Sequence, residues 1–422
     1  MARKKKVAEA GVTENLASAL HDLVNKKVEK DLGYQAAYFL GGTQDNPANI
    51  KEWVSTGSDM LDLAISNRPN GGLPVGRIVE VTGLEGSGKS LICAHILAET
   101  QKKGGLAVYI DTESALDETF FGAVGVEIDK MLYVQLEHIE DIFGVIEDII
   151  VKVRESSKDR LVTIIVDSIM GSTTRKESQA DYGKDGYATD KAIILSKAMR
   201  KITNMIARER ILLVATNQLR IKMNAMFGDP YTTSGGKALA FHSSVRLRMK
   251  LMGKITAKVH GIDTVVGGKT KVQVVKNRLG PPHKVINYEI YFASGIDNFG
   301  GWLHMLKAYK IVKQAGAWYQ YTPEGAEEPI KFQSKDFNEL ILADPVIKKE
   351  IYDKLCAKYI MQYTPGRDGG IDDVKILDVA DEGTSEADAL DGAKLDDGPG
   401  APDEQLDDDD PSALGEEIED FG

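Results

Sequence analysis

The residues best suited to chemistry lie between Gly83 and Ser90. Gly83-Leu84-Glu85-Gly86-Ser87-Gly88-Lys89-Ser90 has the spacing G-x-x-x-x-G-K-S. Glycines at these positions let the backbone wrap an anion, with several N–H groups and a helix N-terminus aimed at it. Lys89 then pairs with β- and γ-phosphates, and the Ser90 hydroxyl ligates Mg²⁺. The expected ligand is ATP with Mg²⁺.

Three carboxylates extend this chemistry. Asp167 ends the apolar run Leu161–Val166, where an acidic residue holds the metal or its water; alone it would read as a strand-end cap. Hydrolysis also needs a group that positions the attacking water. Asp111 and Glu113 follow the run Leu106–Ile110, at the carboxyl edge where ligands bind in parallel sheets. Both are candidates.

Elements must hold these groups in place. Arg77–Val81 reads as a short buried strand leading into the glycine loop, and a helix starts at Lys89. Leu106–Ile110, Leu161–Val166 and Ile211–Thr216 read as further buried strands, with a helix over Lys191–Arg208. Continuous apolar runs alternating with helices predict an α/β fold with a mostly parallel sheet. Val245, Leu247, Met249 and Leu251 then alternate with basic residues, and Val285–Phe292 is strand-like. These predict antiparallel strands that extend the sheet. Leu16, Leu20, Leu23, Val24 and Val28 lie at helical spacing ahead of the core.

From these motifs onward the chain resembles the RecA family of recombinases. Leu73-Pro74-Val75-Gly76-Arg77-Ile78-Val79-Glu80 and Ile110-Asp111-Thr112-Glu113-Ser114-Ala115-Leu116-Asp117 carry the likeness. So do Asn217-Gln218-Leu219-Arg220 with Met226-Phe227-Gly228, and Thr232-Thr233-Ser234-Gly235-Gly236. Lys276-Asn277-Arg278 and Ala315-Gly316-Ala317-Trp318-Tyr319 complete it, over residues 53 to 322. The ending Glu-Asp-Phe-Gly and Thr174-Arg175-Lys176-Glu177 also resemble phage-encoded UvsX-type members.

The resemblance implies a RecA-type P-loop ATPase core with an N-terminal oligomerisation helix and a small C-terminal α/β domain. Residue patterns and composition, with the resemblance over its middle part, divide the chain into an N-terminal helix and linker for subunit packing over residues 1–50, the core with its DNA-binding loops over 51–299, the small domain over 300–365 and a disordered acidic tail over 366–422. The resemblance implies that Glu113 activates water and that Asp117 and Phe120 line the adenine site, Phe120 replacing the usual Tyr. Gln218 is implied as the γ-phosphate sensor, and Lys276 and Arg278 as cations that reach the ATP of a neighbouring subunit. Met223 falls in a wedge position between bases, and Gly235 and Gly236 at backbone–phosphate contacts. Arg200 is retained as a DNA contact, whereas Ile193 stands where the family often has a basic residue.

The segment 218–236 is informative without the resemblance. Arg220 and Lys222 can grip phosphates, while Met223, Met226 and Phe227 give an apolar surface that can wedge between bases; the same segment could otherwise form a buried lid. The polar stretch 172–190, with Arg175, Lys176, Lys184 and Tyr187, reads as a second loop.

Composition sets the outer bounds. The net charge of −12 is uneven: residues 371–422 hold 20 acidic and 2 basic residues, and the rest 50 basic against 44 acidic. A mildly basic body with an acidic end suits polyanion binding and a competing or solubilising tail. Cys93 and Cys356 are the two cysteines, which fits a reducing cytoplasm and no disulfide framework. No apolar run is long enough to span a membrane. The resemblance implies single- and double-stranded DNA and further copies of the chain in a filament as partners, and the acidic end a single-stranded-DNA-binding protein or loader. The expected activity is ATP-dependent strand exchange; a helicase on the same core and a non-catalytic ATP-binding regulator are the alternatives.

Overall fold

The first half of the chain builds four strands of the ten-stranded central sheet. In this computed structural model the described residues are 2–40, 46–180, 187–221, 231–233 and 235–363. Helix α1 (Ala2–Leu32) precedes the short strand β1 (Trp53–Val54), helix α2 (Asp59–Ser66) and strand β2 (Leu73–Pro74). Strand β3 (Ile78–Gly83) leads through the glycine loop into α3 (Lys89–Lys102), and β4 (Leu106–Asp111) into α4 (Glu118–Val124). Then come β5 (Met131–Gln135), α5 (Ile139–Ser156), β6 (Val162–Asp167), α6 (Arg175–Ser178) and α7 (Tyr187–Arg208).

The second half extends the sheet and adds a smaller one. Strands β7 (Ile211–Ile221) and β8 (Tyr231–Thr233) precede α8 (Ala238–His242). A long hairpin follows, β9 (Val245–Val259) and β10 (Ile262–Asn277), then β11 (Val285–Tyr291) and β12 (Gly295–Asp297). Helix α9 (Asn298–Ala308), strands β13 (Lys313–Ala315), β14 (Trp318–Tyr321) and β15 (Ile330–Gln333), and helix α10 (Pro345–Tyr359) close the described chain.

The main sheet has the order β12-β11-β10-β9-β3-β7-β6-β4-β5, with β8 on β7. Strands β9, β3, β7, β6, β4 and β5 run parallel, and β9 through β12 pair antiparallel. This is an α/β fold with an N-terminal helix, a mixed sheet and a small C-terminal α/β subdomain.

Burial on both faces explains the continuous apolar strands. Adjacent residues serve opposite layers: Ile164 packs with α5 and α7, and Ile165 with α3. Helix α5 buries Ile139, Ile142, Phe143, Ile146 and Ile150, a spacing that lines one helical face. Trp302 of α9, Phe332 of β15 and Leu355 of α10 belong to the same apolar cluster as Val79 and Ile96. The antiparallel sheet β13-β14-β15 therefore shares its core with the main sheet.

Helix α1 leaves Leu16, Leu20 and Leu23 more than half exposed. His95 of α3 sits against two backbones: a Cβ at Gly57 would come within 2.8 Å of its ring, and one at Gly295 within 2.4 Å. Among the described residues no helix is long and apolar enough to cross a membrane.

Candidate nucleotide site

The glycine loop sits at the carboxyl end of β3, between β7 and β9. Gly86 and Gly88 have φ of 69° and 92°, which favours glycine. A Cβ at Gly88 would also stand 2.7 Å from Ile290 Cδ1. Ser87 is buried, and its hydroxyl donates to the Leu84 carbonyl at 2.8 Å, closing the loop on itself. Lys89 opens α3, and its ammonium donates to the Leu84 carbonyl at 2.9 Å. Burial pulls its pKa below the ordinary lysine range, against the carboxylates of Asp167 and Glu113.

The carboxylates divide into fixed and open ones. Asp111 is buried and accepts four backbone N–H groups, from Glu113 and Ser114 at 2.8 Å, Ala115 at 3.1 Å and Leu116 at 3.3 Å. Its acceptor sites are spent on shaping the loop. Glu113 is exposed and takes one bond, from the Ser168 hydroxyl. Of the two candidates, Glu113 is the one free to meet a water. Asp167 is buried, accepting the Tyr109 hydroxyl at 2.7 Å and the Thr216 hydroxyl. Burial and Asp167 drive the Tyr109 pKa well above its ordinary value, so the phenol stays a donor.

A cavity of about 400 Å³ opens beside the loop. Gly86, Gly88, Lys89, Ser90 and Phe120 line it together with Leu251, Val265 and Phe292. An apolar, aromatic cleft next to anion-binding N–H groups suits a purine with its phosphates. Asp117 lies outside that lining and caps α4, accepting the Phe120 N–H at 3.0 Å. For Mg²⁺, Ser90 and Asp167 offer hydroxyl and carboxylate oxygens, the hard donors that ion takes. Among the described residues no three or more Asp, Glu, His or Cys side chains converge so as to hold a metal ion by themselves. Phosphate oxygens and waters would complete such a shell, as is usual for Mg²⁺.

Gln218 stands directly beside Gly83, because β7 runs parallel to β3 in that register. Strand β7 then continues past β3 and pairs with β8, Arg220 opposite Thr232. Arg220 is exposed there. Lys222 and Met223 lie outside the described residues. Arg200, Gly235 and Gly236 line one open cavity of about 510 Å³, with Lys237, Phe241 and His242. Arg175 and Lys176, by contrast, are paired with Asp141 and Asp190.

Lys276 and Arg278 are placed far from their own glycine loop. Lys276 is level with Arg246, and Arg246 with Glu80, three residues before Gly83. At about 3.3 Å per residue that is roughly 10 Å back along the strand. Their donors end α8: Lys276 Nζ reaches the carbonyls of Ala240 and Phe241 at 2.7 and 2.8 Å, and Arg278 that of Phe241 at 3.2 Å.

Sequence reasoning passed over Leu251, Val265, Phe292 and Glu80. The first three are apolar residues in or after alternating strands and look like core. The pairing of β9 with β10 brings Leu251 and Val265 beside the loop, and the end of β11 brings Phe292, relations not readable from composition.

Residues 18–297 match the RecA N-terminal domain. Protein RecA of Cereibacter sphaeroides is 34% identical over 82% of this chain and 96% of its own. That of Laribacter hongkongensis is 36% identical over 83% and 92%, and that of Acinetobacter baylyi 37% over 73% and 83%.

Proposed function

We propose that this chain, which belongs to the RecA family, is an ATP-dependent homologous recombinase that forms filaments on single-stranded DNA and exchanges strands with homologous duplex. The observation that carries the reading is the register of Gln218 beside Gly83. One strand links the phosphate loop to the segment that holds Arg220, Lys222, Met223, Gly235 and Gly236. Gln218 therefore reports the γ-phosphate to the DNA-binding segment.

On this reading Gly83–Ser90 hold the triphosphate, and Phe120 with Phe292 flank the adenine next to Asp117. Ser90 and Asp167 hold Mg²⁺, which supplies charge neutralisation at the phosphates. Glu113 takes the proton of the attacking water. Lys276 and Arg278 serve the ATP of an adjoining subunit, where cations neutralise developing charge; their setback from their own loop supports this. DNA contacts from Arg200, Arg220 and Lys222 are to the backbone, so binding is salt-sensitive and independent of sequence.

The exposed leucines of α1 support subunit packing by residues 1–50, joined to a core over 51–299 and a small domain over 300–365. The acidic end, 366–422, competes with DNA for the basic body or recruits a single-stranded-DNA-binding protein or loader. The two buried free thiols suit a cytoplasmic setting, with no membrane partner. The Glu-Asp-Phe-Gly ending supports a phage-encoded, UvsX-type member; the relatives named above are bacterial.

The test is strand exchange between circular single-stranded and linear duplex DNA. Joint molecules should form with ATP and not without it. Electron microscopy with single-stranded DNA and a slowly hydrolysed ATP analogue should show open helical filaments; closed rings alone would overturn the reading.

A further inference from the structure

Glu80, Arg246 and Lys276 stand abreast on three adjacent strands. Glu80 is opposite Arg246 between β3 and β9, and Arg246 is opposite Lys276 between β9 and β10. Residues opposed across a sheet project from the same face, so one acid and two bases form a charged row. Glu80 is fully buried. Its carboxylate accepts Arg246 Nε, and Asn217 Nδ2 at 3.4 Å. At the outer end of the row, Lys276 donates to the final carbonyls of α8.

A carboxylate buried in a central strand is costly unless paired, and an apolar pair often serves a sheet as well. What Glu80 adds is negative charge. The charged groups around Lys276 are Arg246 and Glu80 on the sheet, Arg278 two residues on, and His242 on α8. Glu80 alone among them is acidic. We propose that Glu80 is a positioning residue: its buried carboxylate offsets the charges of Arg246 and Arg278 and so keeps the Lys276 ammonium charged where it meets the end of α8, toward the nucleotide of an adjoining subunit. The proposal rests on the cross-subunit reading above. Burial, with Arg278 and Arg246, already lowers the Lys276 pKa to about 8, and Glu80 is the group that opposes the fall. Without it the Lys276 pKa would fall further.

The test is the pH dependence of Lys276 acylation by a small amine reagent, read by peptide mass spectrometry on the full chain. Wild type is expected to have a midpoint near 8. Glu80→Gln should lie about one unit lower, through loss of the opposing charge. Should that variant fail to fold, Arg246→Gln serves, and should lie about one unit higher because Lys276 then has Glu80 to itself. A wild-type midpoint at the ordinary lysine value, or a midpoint unmoved in either folded variant, overturns the proposal. The assay contains neither ATP nor DNA. A failure of the cross-subunit reading would look different: filaments whose hydrolysis survives removal of both Lys276 and Arg278.

Discussion

The Ser168 hydroxyl donates to Glu113 Oε1 across 2.5 Å, tying the residue after β6 to the loop after β4. Thr112 braces the same junction: its hydroxyl donates to the Ser168 carbonyl at 2.8 Å and accepts the Ser168 N–H at 2.9 Å. Glu113 is thus exposed yet oriented, while Asp111 two residues earlier is consumed by backbone donors. Glu113→Gln should cut the turnover of ATP by about 10²- to 10⁴-fold, the usual worth of a general base, while equilibrium ATP binding persists. Ser168→Ala should cost about tenfold through loss of one charge-assisted hydrogen bond. Steady-state hydrolysis beside nucleotide binding checks both; normal turnover in Glu113→Gln would exclude it as the base.

A second prediction concerns the setback of Lys276 and Arg278. The double variant Lys276→Ala/Arg278→Ala should lose about 10³-fold in DNA-stimulated hydrolysis, as cationic fingers do. Mixed in equal amounts with Glu113→Gln, two nearly inactive proteins should recover about a quarter of the wild-type rate. That is the share of random neighbours in which both halves are intact. No recovery in co-assembled filaments would mean that each subunit serves its own nucleotide.

The cavity shared by Arg200, Gly235 and Gly236 gives a third. Arg200→Ala should weaken single-stranded DNA binding for all sequences alike, and lower the slope of log affinity against log salt by about one. Gly235→Ala should act differently, because φ is 80° there and its Cβ would stand 2.8 Å from Leu195 Cδ2. It displaces the return into α8 without removing a charge, so the slope stays while affinity falls. Fluorescence anisotropy at several salt concentrations separates the two.

His95 supplies a pH dependence of stability. Its Nε2 accepts the Ile296 N–H at 3.0 Å, joining α3 to β12, and this requires a neutral ring nitrogen. Burial first, then Lys102, lowers its pKa from the ordinary 6.5 to about 4. Between those values the unfolded chain binds a proton that the folded chain refuses. The contribution is therefore complete above pH 6.5 and is lost as pH falls toward 4. Urea midpoints should drop across that window in wild type, and His95→Gln should flatten the drop. An identical slope in both proteins would sink the assignment.

The legible parts of this molecule are those whose physics is local. Continuous apolar runs marked β4, β6 and β7, since a strand buried on both faces favours that pattern. The glycine loop was legible because anion wrapping demands particular residues at particular spacing. Strands β13 and β15 escaped notice: Lys313–Ala315 and Ile330–Gln333 are short, polar, and held as strands by β14 between them. Asp111 and Glu113 could not be ranked from sequence, because what separates them is which one the backbone N–H groups consume. The far-edge position of Lys276 likewise depends on the pairing of β10 with β9, a relation between residues 30 apart.

Strand β7 acts as a ruler with two fixed marks. Val214 to Gln218 pair residue by residue with Val79 to Gly83, and Leu219 to Ile221 with β8. Side chains alternate with a period of two, so one residue inserted between the marks would turn Arg220 to the opposite face of the sheet relative to Gln218. Two inserted residues would restore its face but carry the overhang about 7 Å farther out. In the evolution or engineering of such a chain, loops can therefore lengthen by single residues, whereas the length of this strand is quantised.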